Sequence, residues 1–168
     1  MKDKRLHNVK KVMLYTASSY FLLSVQLILA PYARVLGVMA WLPPTMLGCV
    51  LTLEEGFSVT LLYAALLGTW SDVYMHSILL FTVLYPLIAL IMRRYAAYFS
   101  VRRLVWVLAL SAGISVLGQL LYITILLLVP ARANISLLWT RLPMELSLSL
   151  VGLLVVYPLF WRIALCRK

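Results

Sequence analysis

The chain has 168 residues, 64% hydrophobic and 12% charged, and its 15 Lys and Arg against 5 Asp and Glu give a net charge of +10. A soluble domain carries roughly 45–50% apolar and about 25% charged residues, and a chain this short has too little interior to hide the excess. Composition therefore predicts a polytopic membrane protein in one domain over 1–168, and it excludes intrinsic disorder, a coiled coil and a disulfide scaffold.

A bilayer core of roughly 30 Å asks for about 20 apolar residues per helix. A basic start leads into the apolar stretch 12–30, which stops at Pro31. This imitates a signal peptide, but no small-residue cleavage site leads into a soluble domain, so the stretch reads as a retained signal-anchor helix. The second stretch, 38–53, contains Pro43-Pro44, which kink or start a helix. Glu54-Glu55-Gly56 follows and reads as a tight inner turn that the glycine permits. A proton- or cation-binding role for Glu54 or Glu55 is the second reading of that turn. The third stretch, 57–71, covers only about 22 Å at about 1.5 Å per residue. It spans only where the bilayer is thin or its ends snorkel, and it ends at Asp72. The fourth, 77–92, contains Pro86 and closes at Arg93 and Arg94. The fifth, 104–129, ends at Pro130, and the sixth covers 142–165. The predicted fold is an all-α integral membrane bundle of about six transmembrane helices.

Charge placement orients this bundle. With an inside N-terminus, the inner side holds Lys2, Lys4, Arg5, Lys10, Lys11, Arg93, Arg94, Arg102, Arg103, Arg162, Arg167 and Lys168. The outer side holds only Arg34, Arg132 and Arg141. An odd number of spans puts a basic cluster outside, against the positive-inside rule, so both termini are expected in the cytoplasm. The same interleaving of charge with apolar runs argues against a nucleic-acid partner.

Ala64, Gly68 and Asp72 recur every four residues and so share one helix face. Small residues at this spacing let helices approach closely. An acid at the end of the seam marks function or a buried polar pairing, unless Asp72 lies hydrated at the outer interface. Ser111, Ser115 and Gly118 form a second small-residue stripe, read as helix packing or partner contact. Gln26 and Gln119 lie in apolar runs and are expected to bond across helices. Arg141 and Glu145 are four apart and read as an ion pair. With Arg132 they form an outer-face contact set, and Glu145 has a substrate contact as its second reading. Arg93, Arg94, Arg102 and Arg103 bracket Tyr95, Tyr98 and Phe99. They form either a positive-inside loop with an aromatic belt or a site for anionic lipid or a cytoplasmic partner. Asn134-Ile135-Ser136 matches a glycosylation sequon.

Signatures of catalysis are missing. Cys49 and Cys166 have no metal-ligand spacing and read as small hydrophobes. His7 and His76 make no triad, and there is no P-loop, GxGxxG or HExxH. The expectation is a protein that is not an enzyme, with no metal and no cofactor.

From about residue 20 to the end, the chain resembles the MreD family of bacterial rod shape-determining membrane proteins. The resemblance lies in Pro43-Pro44 at a helix start, in Gly68-x-x-x-Asp72 closing a third helix, and in a last helix carrying Tyr157-Pro158-Leu159-Phe160-Trp161-Arg162. The sequence departs from the family at Ala64, often glycine there, and at Met75-His76-Ser77, where another frequent glycine is missing. The resemblance implies a fold similar to the substrate-binding subunits of energy-coupling factor transporters. It also implies a place in the inner membrane and a non-enzymatic scaffolding or regulatory role in cell elongation and peptidoglycan synthesis. The implied partners are MreC and, through the complex, RodA, a class B penicillin-binding protein and MreB, beside membrane lipid; a homodimer stays open. The alternative is a substrate-binding subunit of a vitamin-type transporter, with Asp72, Asn134, Trp139 and Glu145 lining an outer pocket.

Overall fold

Proline at the first turn of a helix gives up an amide that has no partner there anyway, and its ring presets the backbone. Pro43 and Pro44 do this here: the second helix starts at Pro43 and is 11 residues long. The computed structural model describes residues 2–29, 32, 40–54, 56–75, 79–95, 103–128 and 135–165. They form six helices and no strand. The helices are α1 (Lys2–Leu29), α2 (Pro43–Leu53), α3 (Phe57–Met75), α4 (Leu80–Tyr95), α5 (Arg103–Leu128) and α6 (Ile135–Leu165).

Four helix boundaries differ from the sequence reading by more than three residues. The first helix, expected over 12–30, already starts at Lys2. The second stretch, expected over 38–53, is helical only from Pro43, and residues 40–42 are not helical. Eleven residues rise about 16 Å, roughly half a bilayer core. The third stretch is longer than expected: α3 runs through Asp72 to Met75, 19 residues and about 28 Å. The sixth starts earlier, at Ile135, and runs through Pro143. Among the described residues, one segment is long and apolar enough to cross a membrane, Pro143–Leu165, with a mean hydropathy of 1.9.

The short helix is the centre of the bundle. Pro43 to Leu51 are all buried, and α2 packs against α5 and α6 and also touches α3 and α4. A helix that is apolar all round belongs inside, which explains both its composition and its length. Gly48 sets its approach to α5: a Cβ there would lie 3.3 Å from the Ser111 backbone nitrogen and 3.4 Å from the Val107 carbonyl.

The remaining helices wrap this core. α3 lies along α4, and α1 lies mainly against α3 with a smaller contact to α6. Two aromatic clusters lock the wrapping. Near one end, Tyr15, Tyr63 and Phe160 join α1, α3 and α6, with ring centroids 5.4 to 6.4 Å apart. Toward the other end, Trp41 meets Tyr74 at 5.4 Å and Phe81 at 6.3 Å, and Phe81 meets Tyr85 at 5.4 Å. Edge and tilted contacts of this kind suit the ring quadrupole.

Candidate functional site

Gly68 and Asp72 are one device. A Cβ on Gly68 would lie 2.7 Å from the Thr82 Cα and 2.8 Å from the Phe81 carbonyl carbon. Only glycine lets the start of α4 come this close to α3. The same approach brings Asp72, one turn further on, over the first turn of α4. Its Oδ1 accepts the Phe81 amide at 2.9 Å, and its Oδ2 accepts the Thr82 amide at 2.7 Å and the Thr82 hydroxyl at 2.6 Å. Helix N-termini leave amides without intrahelical partners, and a carboxylate there also suits the helix dipole. Asp72 thus caps α4 from the neighbouring helix. It is 5% exposed, so the alternative of a hydrated acid at the interface is corrected. The cap sits beside a strained turn, since Leu79 has φ 56°, in the left-handed region that a leucine rarely adopts.

Ala64 is fully buried on the same face. Ser111 and Ser115 are buried, and their hydroxyls donate back to the carbonyls of Leu108 and Ser111. Gly118 faces the Phe81 ring, which a Cβ would approach to 3.3 Å. Both small-residue stripes therefore pack helices within the chain.

Three polar clasps tie α1 to the bundle at successive depths. At one end Lys11 Nζ lies 2.5 Å from Glu54 Oε1, and the Tyr15 hydroxyl donates to the same oxygen at 2.9 Å. Glu54 is 7% exposed and is the C-cap residue of α2. In the middle, the Ser19 and Tyr63 hydroxyls meet at 2.7 Å. At the far end the Gln26 amide donates to the Ala40 carbonyl. Beyond α1, Trp41 N donates to Ser149 Oγ at 2.9 Å, and the Ser149 hydroxyl faces the carbonyls of Glu145 and Trp41. Gln119 Nε2 donates to Glu145 Oε2 at 2.6 Å. Both glutamines bond across elements, and Glu145, half-buried, meets α5 through Gln119.

Sequence reasoning missed the Lys11–Glu54–Tyr15 cluster because it assigned Lys11 to a basic tail and Glu54 to a turn. It also missed Ser149, whose only signal was a serine in an apolar helix. The signal for the clasp was present: an acid just after an apolar run must find a partner if its helix ends inside the protein.

The side chains of Arg93, Arg94, Arg103 and Arg141 lie outside the described residues, as do Arg102 and Arg132 altogether. The same holds for His76, Asn134, Cys166 and the Trp139 side chain. Cys49 is buried and free. Among the described residues no group of three or more His, Cys, Asp or Glu is placed to hold a metal ion. Three buried side-chain atoms have no hydrogen-bond partner among the described residues: Thr16 Oγ1, Gln26 Oε1 and Tyr85 OH, the last beside Ser71 and Trp41 but outside bonding geometry. Comparison with protein-family models, curated proteins and solved structures gives no match.

Proposed function

We propose that the chain is a non-enzymatic, multi-pass subunit of the bacterial inner membrane that scaffolds or regulates the cell-elongation complex for peptidoglycan synthesis. The observation that carries the membrane part is the apolar exterior. Ile28 on α1, Val73 on α3, Val83 on α4 and Leu154 on α6 are 72%, 76%, 65% and 72% exposed. Other large apolar side chains are exposed beside them on every helix but the central α2. Water-soluble monomers rarely show contiguous apolar patches beyond a few hundred Å². The Pro143–Leu165 window is only 28% buried, whereas the core helix of a soluble protein is mostly covered. Lipid is the solvent that suits such a surface.

The use of the polar groups supports an interaction role. Asp72, Glu54, Gln119 and Ser149 each hold one element against another. Such a bundle acts through its outer surface, by binding one state of a partner better than another, since only differential affinity shifts an equilibrium. The resemblance to the MreD family supplies the partners: MreC, and through it RodA, a class B penicillin-binding protein and MreB. On this reading partner contact falls to exposed side chains such as Val151, Leu154 and Val155, because Gly68 and Asp72 are used inside the chain.

The test is gentle affinity purification of the tagged protein from its native membrane, followed by mass spectrometry. Recovery of MreC, RodA or a penicillin-binding protein is expected. Recovery of two ATPases with a coupling subunit overturns the reading in favour of a transporter subunit.

A further inference from the structure

One helix runs past the end of its bundle. At the inner end α4 stops at Tyr95, α5 starts at Arg103 and α6 stops at Leu165, each within three residues of Arg94, Arg103 or Arg162. Lys11 marks the same level on α1, where Glu54 at the end of α2 holds it. α1 nevertheless starts nine residues earlier, at Lys2. At about 1.5 Å per residue, it stands about 13.5 Å beyond Lys11.

Length and charge put this extension in water. α1 has 28 residues, about 42 Å, against a hydrocarbon core of roughly 30 Å. Its apolar run starts at Val12, so the excess falls on the residues before it. Tilting the helix until the excess is buried would carry Arg5 and Lys10 into hydrocarbon, where a basic residue is expensive. At the base of the extension Val9 and Lys10 are exposed.

Residues 2–10 carry Lys2, Lys4, Arg5 and Lys10 against one acid, Asp3. A topology signal needs such charge, but it needs no helix to raise it. The helix gives the charge a height and a side. The headgroup layer is about 5–7 Å deep. Lys10 lies within that depth, whereas positions 5, 4 and 2 stand about 9, 10.5 and 13.5 Å beyond Lys11. At about 100° per residue, positions 2, 4 and 5 share one half of the circumference, and Asp3 and Lys10 fall on the other. The first half is the one on which Val12, Tyr15 and Ser19 are buried in the core. The basic face of the extension therefore lies over the inner end of the bundle, above the headgroups and away from the surrounding lipid. Anionic lipid meets Lys10, while an acidic protein segment laid across the bundle end meets the basic face.

We propose that residues 2–10 of α1 form a raised basic post that docks an acidic segment of a cytoplasmic protein, with Lys2, Lys4 and Arg5 as the contact charges. The inference rests on the membrane reading above.

The test measures binding of fluorescein-labelled octaglutamate to the full-length protein in phosphatidylcholine nanodiscs by fluorescence anisotropy. Binding that weakens as salt rises is expected. Lys2→Gln, Lys4→Gln and Arg5→Gln together weaken it about tenfold, the weight of three exposed ion pairs, while Lys10→Gln changes it less than twofold. Val9→Pro keeps every charge but breaks the helix below the tip, and it weakens binding at least threefold. No binding, an unchanged affinity in the triple variant or in Val9→Pro, or a loss at Lys10 as large as that of the triple variant overturns the proposal. Amide hydrogen exchange at residues 2–10 slows when octaglutamate is added and not when a quarter of the lipid is replaced by phosphatidylglycerol; the reverse makes anionic lipid the occupant and overturns the protein partner. A protein that enters nanodiscs but fails these comparisons overturns the post alone. One that stays soluble and monodisperse without lipid or detergent overturns the membrane reading as well.

Discussion

Removing the carboxylate of Asp72 tests whether one side chain fixes the start of α4. In Asp72→Ala, the Phe81 amide, the Thr82 amide and the Thr82 hydroxyl lose the acceptor seen at 2.9, 2.7 and 2.6 Å. Phe81 is 4% exposed, so water cannot replace the acceptor there without the helices parting. Loss of an N-cap alone costs about 0.5–2 kcal/mol, and each buried donor left unsatisfied about 1–3 kcal/mol. The Thr82 hydroxyl can turn to another acceptor, so the two amides dominate and the sum is about 4 kcal/mol. Asp72→Asn keeps the shape and one acceptor oxygen but turns an amide group toward the Thr82 donors, so about half of that loss is expected. Thr82→Val removes one bond to a carboxylate at a cost of about 1–2 kcal/mol. Its effect vanishes in the Asp72→Ala background, the non-additivity expected of groups in one network. The assay is reversible unfolding in detergent micelles with amide hydrogen exchange at Phe81 and Thr82, which should speed up before the rest of α4. If Asp72→Ala unfolds within about 0.5 kcal/mol of the unaltered protein, the ordinary range for a neutral surface change, and those two amides keep their protection, the capping argument is wrong.

Three further outcomes follow from the same geometry. Gly68→Ala forces a methyl group into the α4 backbone rather than into a movable side chain, so it should destabilise by about 1–3 kcal/mol or more, read as a lower unfolding midpoint. Lys11→Met leaves Glu54 buried without its cation and should cost about 3 kcal/mol, while Lys11→Met with Glu54→Gln recovers most of it, because the amide removes the buried charge and its oxygen still accepts from the Tyr15 hydroxyl. Both are checked by the same unfolding assay, and equal stability of the single and double variants would refute the pairing. Ser149→Ala removes the acceptor of the Trp41 amide and should cost about 1–2 kcal/mol, with a change in near-ultraviolet circular dichroism from the Trp41, Tyr74 and Phe81 cluster.

The sequence carried the helices better than it carried their roles. Apolar runs, prolines and charge clusters placed six helices in order, and α5 is within one residue of its expected limits at each end. α2 was misjudged because hydropathy cannot separate a helix that faces lipid from one that faces other helices; both are apolar all round. The end of α3 was misjudged because Asp72 was taken as a stop, whereas its charge is satisfied sideways by α4, and the helix continues to Met75. Every-fourth-residue spacing did mark Ala64, Gly68 and Asp72 as one face. It could not say whether that face met a partner or another part of the chain, since spacing is a property of one helix and the answer lies on the other.

Charge was legible in sign but not in use. Counting Lys11 with the basic residues of the N-terminus set the orientation, yet Lys11 turns inward to Glu54, and that changes what holds α1. Interhelical hydrogen bonds in membrane proteins average about 0.6 kcal/mol, with a maximum of about 1.7. On the membrane reading, the neutral clasps at Ser19–Tyr63 and Gln26–Ala40 therefore add little, and the Lys11–Glu54–Tyr15 cluster with the Tyr15, Tyr63 and Phe160 rings does most of the holding. That places the anchorage of α1 at its Lys11 end. Beyond Ser19 the helix is still held, by Leu23, which is buried in the core, and by the Gln26 amide on the Ala40 carbonyl, so α1 is anchored most strongly at its Lys11 end and packed along the rest of its length.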